Sequence, residues 1–148
     1  MNGRSPRVRV AAIVREGDSV LLVAHSKEGR SYWLLPGGGV EYGETLEDAL
    51  KREMKEEVCL DVEVGDLALV CDAIAPDGSK HVVNLCFETT VLDGEMRLGV
   101  DPRLSDARFV PIDDVADLEL HPAMQTPLAD YLRKSEGPPA RYVRTQWV

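Results

Sequence analysis

The chain has 148 residues, 44% of them hydrophobic, which predicts one ordinary domain over residues 1–148 with a substantial hydrophobic core. It contains 17 basic and 26 acidic residues, giving a net charge of −9. No basic patch stands out beyond the arginine-flanked ends, which argues against a polymeric nucleic-acid partner. An acidic protein that acts on an anionic small molecule needs bound cations, so a metal-dependent site is compatible with this charge.

The cysteines and the hydropathy indicate the compartment. Cys59, Cys71 and Cys86 are odd in number and widely spaced, which is typical of reduced thiols and not of a disulfide framework or a zinc site. The chain has no signal peptide and no apolar run of about 18 residues. We therefore expect a cytoplasmic protein that does not insert into a membrane.

The first third of the chain predicts three strands. Residues 7–15 and 19–24 are largely apolar and flank a Glu-Gly-Asp turn, so they predict a hairpin. Residues 32–35 predict a third, short strand that is stopped by Pro36.

Three glycines follow, Gly37, Gly38 and Gly39. One interpretation is a flexible turn between a strand and a helix. The other is functional, because a backbone without Cβ atoms can approach a phosphate or offer a carbonyl to a metal ion. The fixed distance from these glycines to the acidic segment that follows favours the functional interpretation.

The next segment predicts a helix with an acidic face. Thr45 is a candidate N-cap, with Asp48 three residues on in the place of the usual capping-box glutamate. Residues 46–58 contain no Gly or Pro and are rich in good helix formers. At 100° per residue, Glu53 and Glu57 fall inside the apolar stripe and Glu56 lies on its edge. Like charges on a partly buried face require a compensating cation, and oxygen ligands favour Mg²⁺ or Mn²⁺. On the helix alone, a charged surface helix is an equal alternative.

The spacing across this segment resembles the Nudix box, GX5EX7REUXEEXGU, in which U is aliphatic. Gly38 is followed by five residues and then Glu44, and seven more residues lead to Arg52 and the run REMKEEVCL. One position departs from the pattern, because Cys59 stands where the family has glycine. That position is the helix C-cap, where a left-handed backbone favours glycine, so the exit geometry of the helix is left open.

The rest of the chain predicts a second hairpin, from residues 61–75 and 81–92, and then an irregular loop over 95–105. A strand at 107–112, a helical turn capped by two aspartates and a helix at 122–134 follow. The Nudix resemblance implies an α/β/α sandwich with a mixed β-sheet between helices, and the element order agrees over a core of about 7–134. The tail, 135–148, contains Tyr142 and Trp147 and is expected to dock on its own domain or on a partner subunit, the second case giving a homodimer.

The resemblance implies hydrolysis of a nucleoside diphosphate linked to another group, with Mg²⁺ and with Mn²⁺ as a substitute. It implies that Glu53, Glu56 and Glu57 are metal ligands and that one of them, or a later acid, orients the attacking water. A carbonyl of Gly37 or Gly38 is a further expected ligand, and Arg52 is expected to pair with Glu44.

Other candidate site residues lie outside the box. Glu88, Glu95, Asp101 and Asp106 are candidates for the extra acid that many family members use, although a solvated surface charge is the favoured interpretation of each. Tyr42 is the aromatic candidate for stacking on a base, ahead of Tyr32, Trp33 and Phe87. The three histidines, His25, His81 and His121, are expected to be surface or packing residues.

Several substrate classes are compatible with the sequence. Pro76 lies sixteen residues after Leu60, a placement that the family associates with ADP-ribose hydrolases, although it is equally a hairpin-turn proline. The sequence therefore favours ADP-ribose or a related nucleotide sugar. The alternatives are a (d)NTP pyrophosphohydrolase of the 8-oxo-dGTP type, a nucleotide-binding sensor without activity, and a non-hydrolytic relative such as an isomerase.

Overall fold

The computed structural model describes residues 4–134 and 141–146, and within these ranges the chain forms nine strands and three helices. The strands are β1 (Arg7–Ile13), β2 (Arg15–Glu16), β3 (Ser19–Lys27), β4 (Arg30–Leu34), β5 (Gly37–Gly39), β6 (Asp61–Ile74), β7 (His81–Asp93), β8 (Leu104–Pro111) and β9 (Arg141–Gln146). The helices are α1 (Leu46–Val58), α2 (Ile112–Val115) and α3 (Gln125–Arg133).

The strands form two sheets. The larger, five-stranded sheet has the order β5-β1-β7-β6-β9, in which β1 is parallel to β7, β9 is parallel to β6 and the other pairs are antiparallel. The smaller sheet is antiparallel and consists of β2, β3, β4 and β8, with β3 pairing all three of its partners.

Two hydrophobic clusters hold helices against these sheets. Leu50, Met54 and Val58 of α1 pack with strand residues such as Val10 and Leu21 in one cluster. Residues of α2 and α3 pack with other strand residues in the second cluster. This mixed α+β architecture confirms the predicted fold class, but two sheets replace the one that was expected.

The first predicted hairpin is largely wrong. Only Arg15–Glu16 pairs with Ser19–Val20, whereas β1 belongs to the other sheet. The physical reason is that β5 and β7 occupy both edges of β1, so it has no free edge for β3. The chain therefore crosses from one sheet to the other at Val14.

The glycine triplet forms a strand and not a flexible turn. Gly38 lies opposite Val10 in the antiparallel pairing of β5 with β1. A Cβ atom on Gly37 would overlap the carbonyl oxygen of Val10, so this close approach of the two strands requires glycine.

The acidic helix and the second hairpin are confirmed. Helix α1 spans Leu46–Val58, and the side-chain oxygen of Thr45 accepts a hydrogen bond from the Asp48 N–H at 3.0 Å. Cys59 ends the helix in the left-handed conformation, with φ 62° and ψ 30°. The hairpin forms from β6 and β7 along almost their whole length, with bulges between Val64 and Leu69.

The last part of the chain differs in detail from the elements that its sequence predicts. Asp113 and Asp114 lie inside α2 and do not cap it, and α3 begins three residues after Pro122. Part of the tail docks on its own domain as β9, where the Tyr142 hydroxyl donates to Asp72 at 3.0 Å. Trp147 lies outside the described residues.

Replacing Cys59 with glycine should stabilise the protein by about 1 kcal/mol, because a left-handed residue with a Cβ is strained. Urea unfolding followed by circular dichroism measures this difference. Cys59→Ala is the matched control, since it removes the thiol but keeps the Cβ and should give no such gain. A glycine variant no more stable than the alanine variant would contradict the expectation.

Candidate active site

The deepest acid of α1 is Glu57, which lies on the helix face that packs against β5. It is 8% exposed, and its Oε1 accepts a hydrogen bond from the Gly37 N–H at 3.1 Å. Burial raises the pKa of Glu57 to about 7, while nearby Arg9 and the Gly37 N–H act in the opposite direction. The site thus concentrates negative charge that water solvates poorly.

Glu53 lies one turn earlier and is also largely covered, with 17% of its side chain exposed. A Cβ on Gly38 would overlap its carboxylate, so the glycine strand and this acid are in direct contact. Burial raises the pKa of Glu53, against the effect of Arg52, whose Nη1 donates to Oε1 at 2.9 Å. Glu56 is 60% exposed on its side chain and receives a longer hydrogen bond from Arg52, at 3.3 Å.

Arg52 connects the helix to the loop before it, as expected. Its Nε and Nη2 donate to the two carboxylate oxygens of Glu44, each at 2.8 Å. Its Nη2 also donates to the Gly39 carbonyl at 3.1 Å, and the Glu41 N–H donates to Glu44 at 2.8 Å. The Arg52 guanidinium lowers the pKa of Glu44 to about 2, so this pair remains ionised at all ordinary pH values.

The three helix carboxylates and the three glycines line one cleft of about 810 Å³. The remaining lining comes from the start of β1, from β3 and β4, from the β6–β7 turn and from the loop before β8. These elements lie far apart in sequence, so the cleft is a product of the sheet topology.

Basic side chains form much of the cleft lining, and none of them is among the expected site residues. They are Arg4, Arg7, Arg9, Lys27, Lys80 and Arg103. Arg9 is fixed by hydrogen bonds to the Leu35 carbonyl at 2.9 Å and to Asn84 Oδ1 at 3.4 Å. The alternation of Arg7 and Arg9 before an apolar run is a signal that these two arginines share one face of a strand.

Of the four later acids, only Asp101 lines the cleft. Hydrogen bonds from Arg103, the shorter at 2.8 Å, lower the pKa of Asp101 to about 2. Glu88 instead binds Arg15 and accepts from the Tyr131 hydroxyl, and Asp106 pairs with Arg108. Glu95 is exposed and contributes nothing to the lining.

The structure places Tyr32 in the cleft lining, and not Tyr42, the expected candidate for stacking on a base. Tyr42, in the loop between β5 and α1, is fully exposed and lies outside the cleft lining. Tyr32 does line the cleft, and its ring stacks on His121 with centroids 4.1 Å apart. His25 is only 6% exposed and borders the cleft, and its buried Nε2 atom has no hydrogen-bond partner among the described residues.

With this geometry in place, comparison with known proteins gives a clear family. The model of the NUDIX domain matches residues 5–131. The ADP-ribose pyrophosphatase of Methanocaldococcus jannaschii is 32% identical over 133 residues, which cover 89% of this chain and 76% of that protein. The chain belongs to the Nudix family.

Two further relatives show the range of activities named within this family. A Mycobacterium tuberculosis protein, whose name provisionally assigns it as 8-oxo-dGTP diphosphatase 2, is 34% identical over 139 residues, covering 88% of this chain and 92% of that protein. The crystal structure of a NUDIX hydrolase from Nitrosomonas europaea has a TM-score of 0.78 and 25% identity, covering 97% of this chain and 80% of that one. The chain is therefore a Nudix hydrolase of the pyrophosphohydrolase type.

Nudix hydrolases generally use a divalent metal ion, and the donor set in this cleft fits one. The candidate ligands are carboxylate oxygens, which suit a hard cation, and burial leaves Glu53 and Glu57 short of compensating positive charge. Within residues 4–134 and 141–146, no three acidic, histidine or cysteine side chains already converge as a metal cluster. Glu53 and Glu57 are instead hydrogen-bonded to Arg52 and Gly37, so the carboxylates would have to reorient to share an ion.

His25 should make this Nudix domain less stable as the pH drops from about 6.5 towards 4, against the opposite effect of Glu57, whose raised pKa lets the folded protein take up a proton first. Burial, with Arg103 and Arg9 nearby, lowers the pKa of His25 to about 4, so the unfolded chain takes up the proton first on acidification. The contribution of His25 is fully present above pH 6.5 and lost below it, by about 1–2 kcal/mol at pH 5.

Urea unfolding of the wild type and of His25→Gln at pH 7.5 and 5, both in EDTA, measures this contribution. Glu57 affects both proteins alike, so the change in stability from pH 7.5 to pH 5 should be less favourable in the wild type than in the variant, whatever their absolute stabilities. Equal changes in the two proteins would show that His25 does not titrate as its surroundings indicate.

Proposed function

We propose that this Nudix hydrolase cleaves the diphosphate bond of a nucleoside diphosphate linked to a second group, with Mg²⁺ as its metal ion and Mn²⁺ as a substitute. We propose ADP-ribose or a related nucleotide sugar as the preferred substrate. The observation that carries this proposal is the meeting of Glu53, Glu56 and Glu57 with a row of arginines in one cleft. Carboxylates suit the metal ion, and arginines suit the phosphate oxygens.

In this proposal Glu53, Glu56 and Glu57 hold the metal ion, together with the backbone carbonyl of Gly37. A bound divalent ion neutralises the charge on the diphosphate and acidifies water. Arg52 does not contact the substrate. It is a positioning residue, because its hydrogen bonds to Glu44, Glu53 and the Gly39 carbonyl fix the glycine strand and the acidic helix relative to each other.

Asp101 is the later acid that we propose to orient the attacking water. It lines the same cleft as the helix carboxylates, and Arg103 keeps it ionised. An ionised carboxylate can accept a hydrogen bond from water, although a pKa of about 2 makes it a weak proton acceptor at neutral pH. We therefore assign it an orienting role, and leave proton removal to a helix carboxylate.

Two observations support the choice of substrate. The M. jannaschii relative with 89% of this chain aligned is named an ADP-ribose pyrophosphatase. Pro76 lies in the turn between β6 and β7, and the residues just after it, Gly78–Val82, line the cleft. A (d)NTP pyrophosphohydrolase is the second candidate, because the M. tuberculosis relative bears such a name.

Glu57→Gln should lower kcat by at least about 100-fold while leaving the fold intact. The amide removes the negative charge, but its oxygen can still accept the hydrogen bond from the Gly37 N–H. Steady-state hydrolysis of ADP-ribose with Mg²⁺, together with the urea unfolding midpoint, measures both effects.

Glu47→Gln is the matched control, since Glu47 lies on the same helix in an exposed pair with Lys51 and should leave kcat unchanged. A Glu57→Gln enzyme with wild-type kcat would overturn the assignment. A wild-type protein that binds ADP-ribose without turnover in millimolar Mg²⁺ would instead identify the nucleotide-binding sensor.

A panel of ADP-ribose, dinucleoside polyphosphates and (d)NTPs, each with Mg²⁺ and with Mn²⁺, tests the substrate. We expect the highest kcat/KM for ADP-ribose, with AMP and ribose 5-phosphate as the products, which indicates cleavage between the two phosphorus atoms. A higher kcat/KM for 8-oxo-dGTP than for ADP-ribose would favour the second candidate.

We further propose that the chain acts as one domain on small nucleotides, in the cytoplasm, without a nucleic-acid polymer as partner. The cysteines of the described residues are all unpaired, which is usual in a reducing compartment. None of the described helices has the length and apolarity needed to cross a membrane. Docking of β9 on its own sheet supports a monomer over the homodimer.

A further inference from the structure

The cleft has a surplus of positive charge although the protein as a whole is acidic. In the part of the chain that the structure describes, six lysine and arginine side chains line it, against four carboxylates, whereas the whole chain has a net charge of −9. A bound divalent ion would add further positive charge. The cleft can therefore attract an anionic group in addition to a single diphosphate.

Most of these basic side chains have partners. Arg9 donates to Leu35 and Asn84, Arg103 binds Asp101, and Arg4 donates to the Gly78 carbonyl. Arg7 differs, because its side chain forms no hydrogen bond or ion pair with any residue in the described ranges.

Lys27, at the end of β3 in the smaller sheet, is likewise without a partner among the residues that the structure describes. Like Arg7, it lines the cleft and is exposed. The two side chains thus come from different sheets and are both available to an anion.

The position of Arg7 connects it to the acidic end of the cleft. It precedes Arg9 by two residues on β1, so both side chains leave the same face of the strand, about 7 Å apart along it. Its Nη2 lies 2.8 Å from the place where a Cβ on Gly39 would be, so the guanidinium occupies space that this glycine leaves open. The neighbouring glycine, Gly38, contacts the carboxylate of Glu53.

We propose that Arg7, together with Lys27, forms an anion subsite that binds one phosphate group of the substrate in addition to the diphosphate held at the acidic helix. The planar guanidinium of arginine is suited to two parallel hydrogen bonds with a phosphate. The extra phosphate belongs either to a longer phosphate chain or to a phosphomonoester on the ribose. This inference rests on the proposed hydrolysis of a nucleoside diphosphate derivative. ADP-ribose has both of its phosphates in the diphosphate, so the subsite adds affinity for related substrates that carry a further phosphate.

Binding of nucleotides that the enzyme cannot cleave tests the subsite independently of hydrolysis. The first pair of ligands is AMP and adenosine 2′,5′-bisphosphate. The second pair is the analogues of ADP and ATP in which a methylene group replaces every oxygen that bridges two phosphorus atoms. Titration calorimetry with Mg²⁺ at constant ionic strength gives the gain in affinity from the extra phosphate in each pair.

We expect the extra phosphate to raise the affinity about tenfold in at least one pair. The pair that shows this gain identifies whether the phosphate belongs to a longer phosphate chain or to the ribose. Arg7→Gln should remove most of this gain, and Arg7→Lys should keep part of it, because a charge without the planar fork still attracts phosphate. Lys27→Gln should reduce it by a smaller factor. Arg133→Gln on α3 is the control for net charge, since Arg133 is outside the cleft, and it should keep the full gain.

A gain that Arg7→Gln leaves unchanged would overturn the inference, as would the absence of any gain in the wild type. The unfolding midpoint of Arg7→Gln should match that of the wild type, because Arg7 has no partner to lose in the described part of the chain. An Arg7-dependent gain in a protein that hydrolyses nothing would refute the proposed function alone. Hydrolysis of ADP-ribose without any such gain would refute the subsite alone.

Discussion

The structure depends on a contact between three residues of α1 and three successive glycines of β5. Glu57 accepts the Gly37 N–H, the Glu53 carboxylate fills the space that Gly38 leaves open, and Arg52 donates to the Gly39 carbonyl. Glu53 and Glu57 share one face because they are four positions apart, and Arg52 lies on the flank of that face. A Cβ on Gly38 would displace the Glu53 carboxylate, whereas one on Gly37 would push β5 away from Val10 of β1.

This contact brings a group of negative charges close to a hydrophobic cluster, which is unfavourable unless positive charge lies nearby. Arg52 supplies positive charge beside the loop that precedes α1, where the Arg52 guanidinium donates two of its hydrogen bonds to Glu44. Arg9 supplies it at the sheet side, but the pKa of Glu57 is still raised to about 7 by burial. The acids are therefore only partly compensated by the protein itself, and a divalent cation would complete the compensation.

Local signals predict the helix and its acidic face well. The cap at Thr45, the boundaries of α1 and the Arg52–Glu44 pair all depend on residues within about fifteen positions of one another. Sheet pairing does not follow from such local signals. The apolar runs of β1 and β3 are adjacent in sequence and suggest a hairpin, yet β1 is paired by β5 and β7 on its two edges. For the same reason the sequence gives no direct indication that Arg9 and Asp101 face one cleft.

The departure at Cys59 is explained by a contact from a distant loop. Cys59 retains the left-handed backbone that the family's glycine would adopt, and it does so without losing hydrogen bonds at the helix end. Its own N–H donates to the Lys55 carbonyl, while the Gly99 and Arg97 N–H groups donate to the carbonyls of Glu57 and Val58 at 2.8 and 3.1 Å. These are carbonyls that a helix terminus otherwise leaves to solvent.

The loop approaches this closely because its residue 99 is also glycine. A Cβ on Gly99 would overlap the Glu56 carbonyl, and one on Gly94 would lie 2.7 Å from the Cys59 carbonyl. The loop that carries Asp101 is thus fixed by backbone hydrogen bonds to the last turn of the acidic helix. The strain at Cys59 is local and small, whereas these hydrogen bonds fix the position of a whole segment of the cleft. The helix can therefore tolerate cysteine at its cap while its carboxylates and the later acid keep their relative positions.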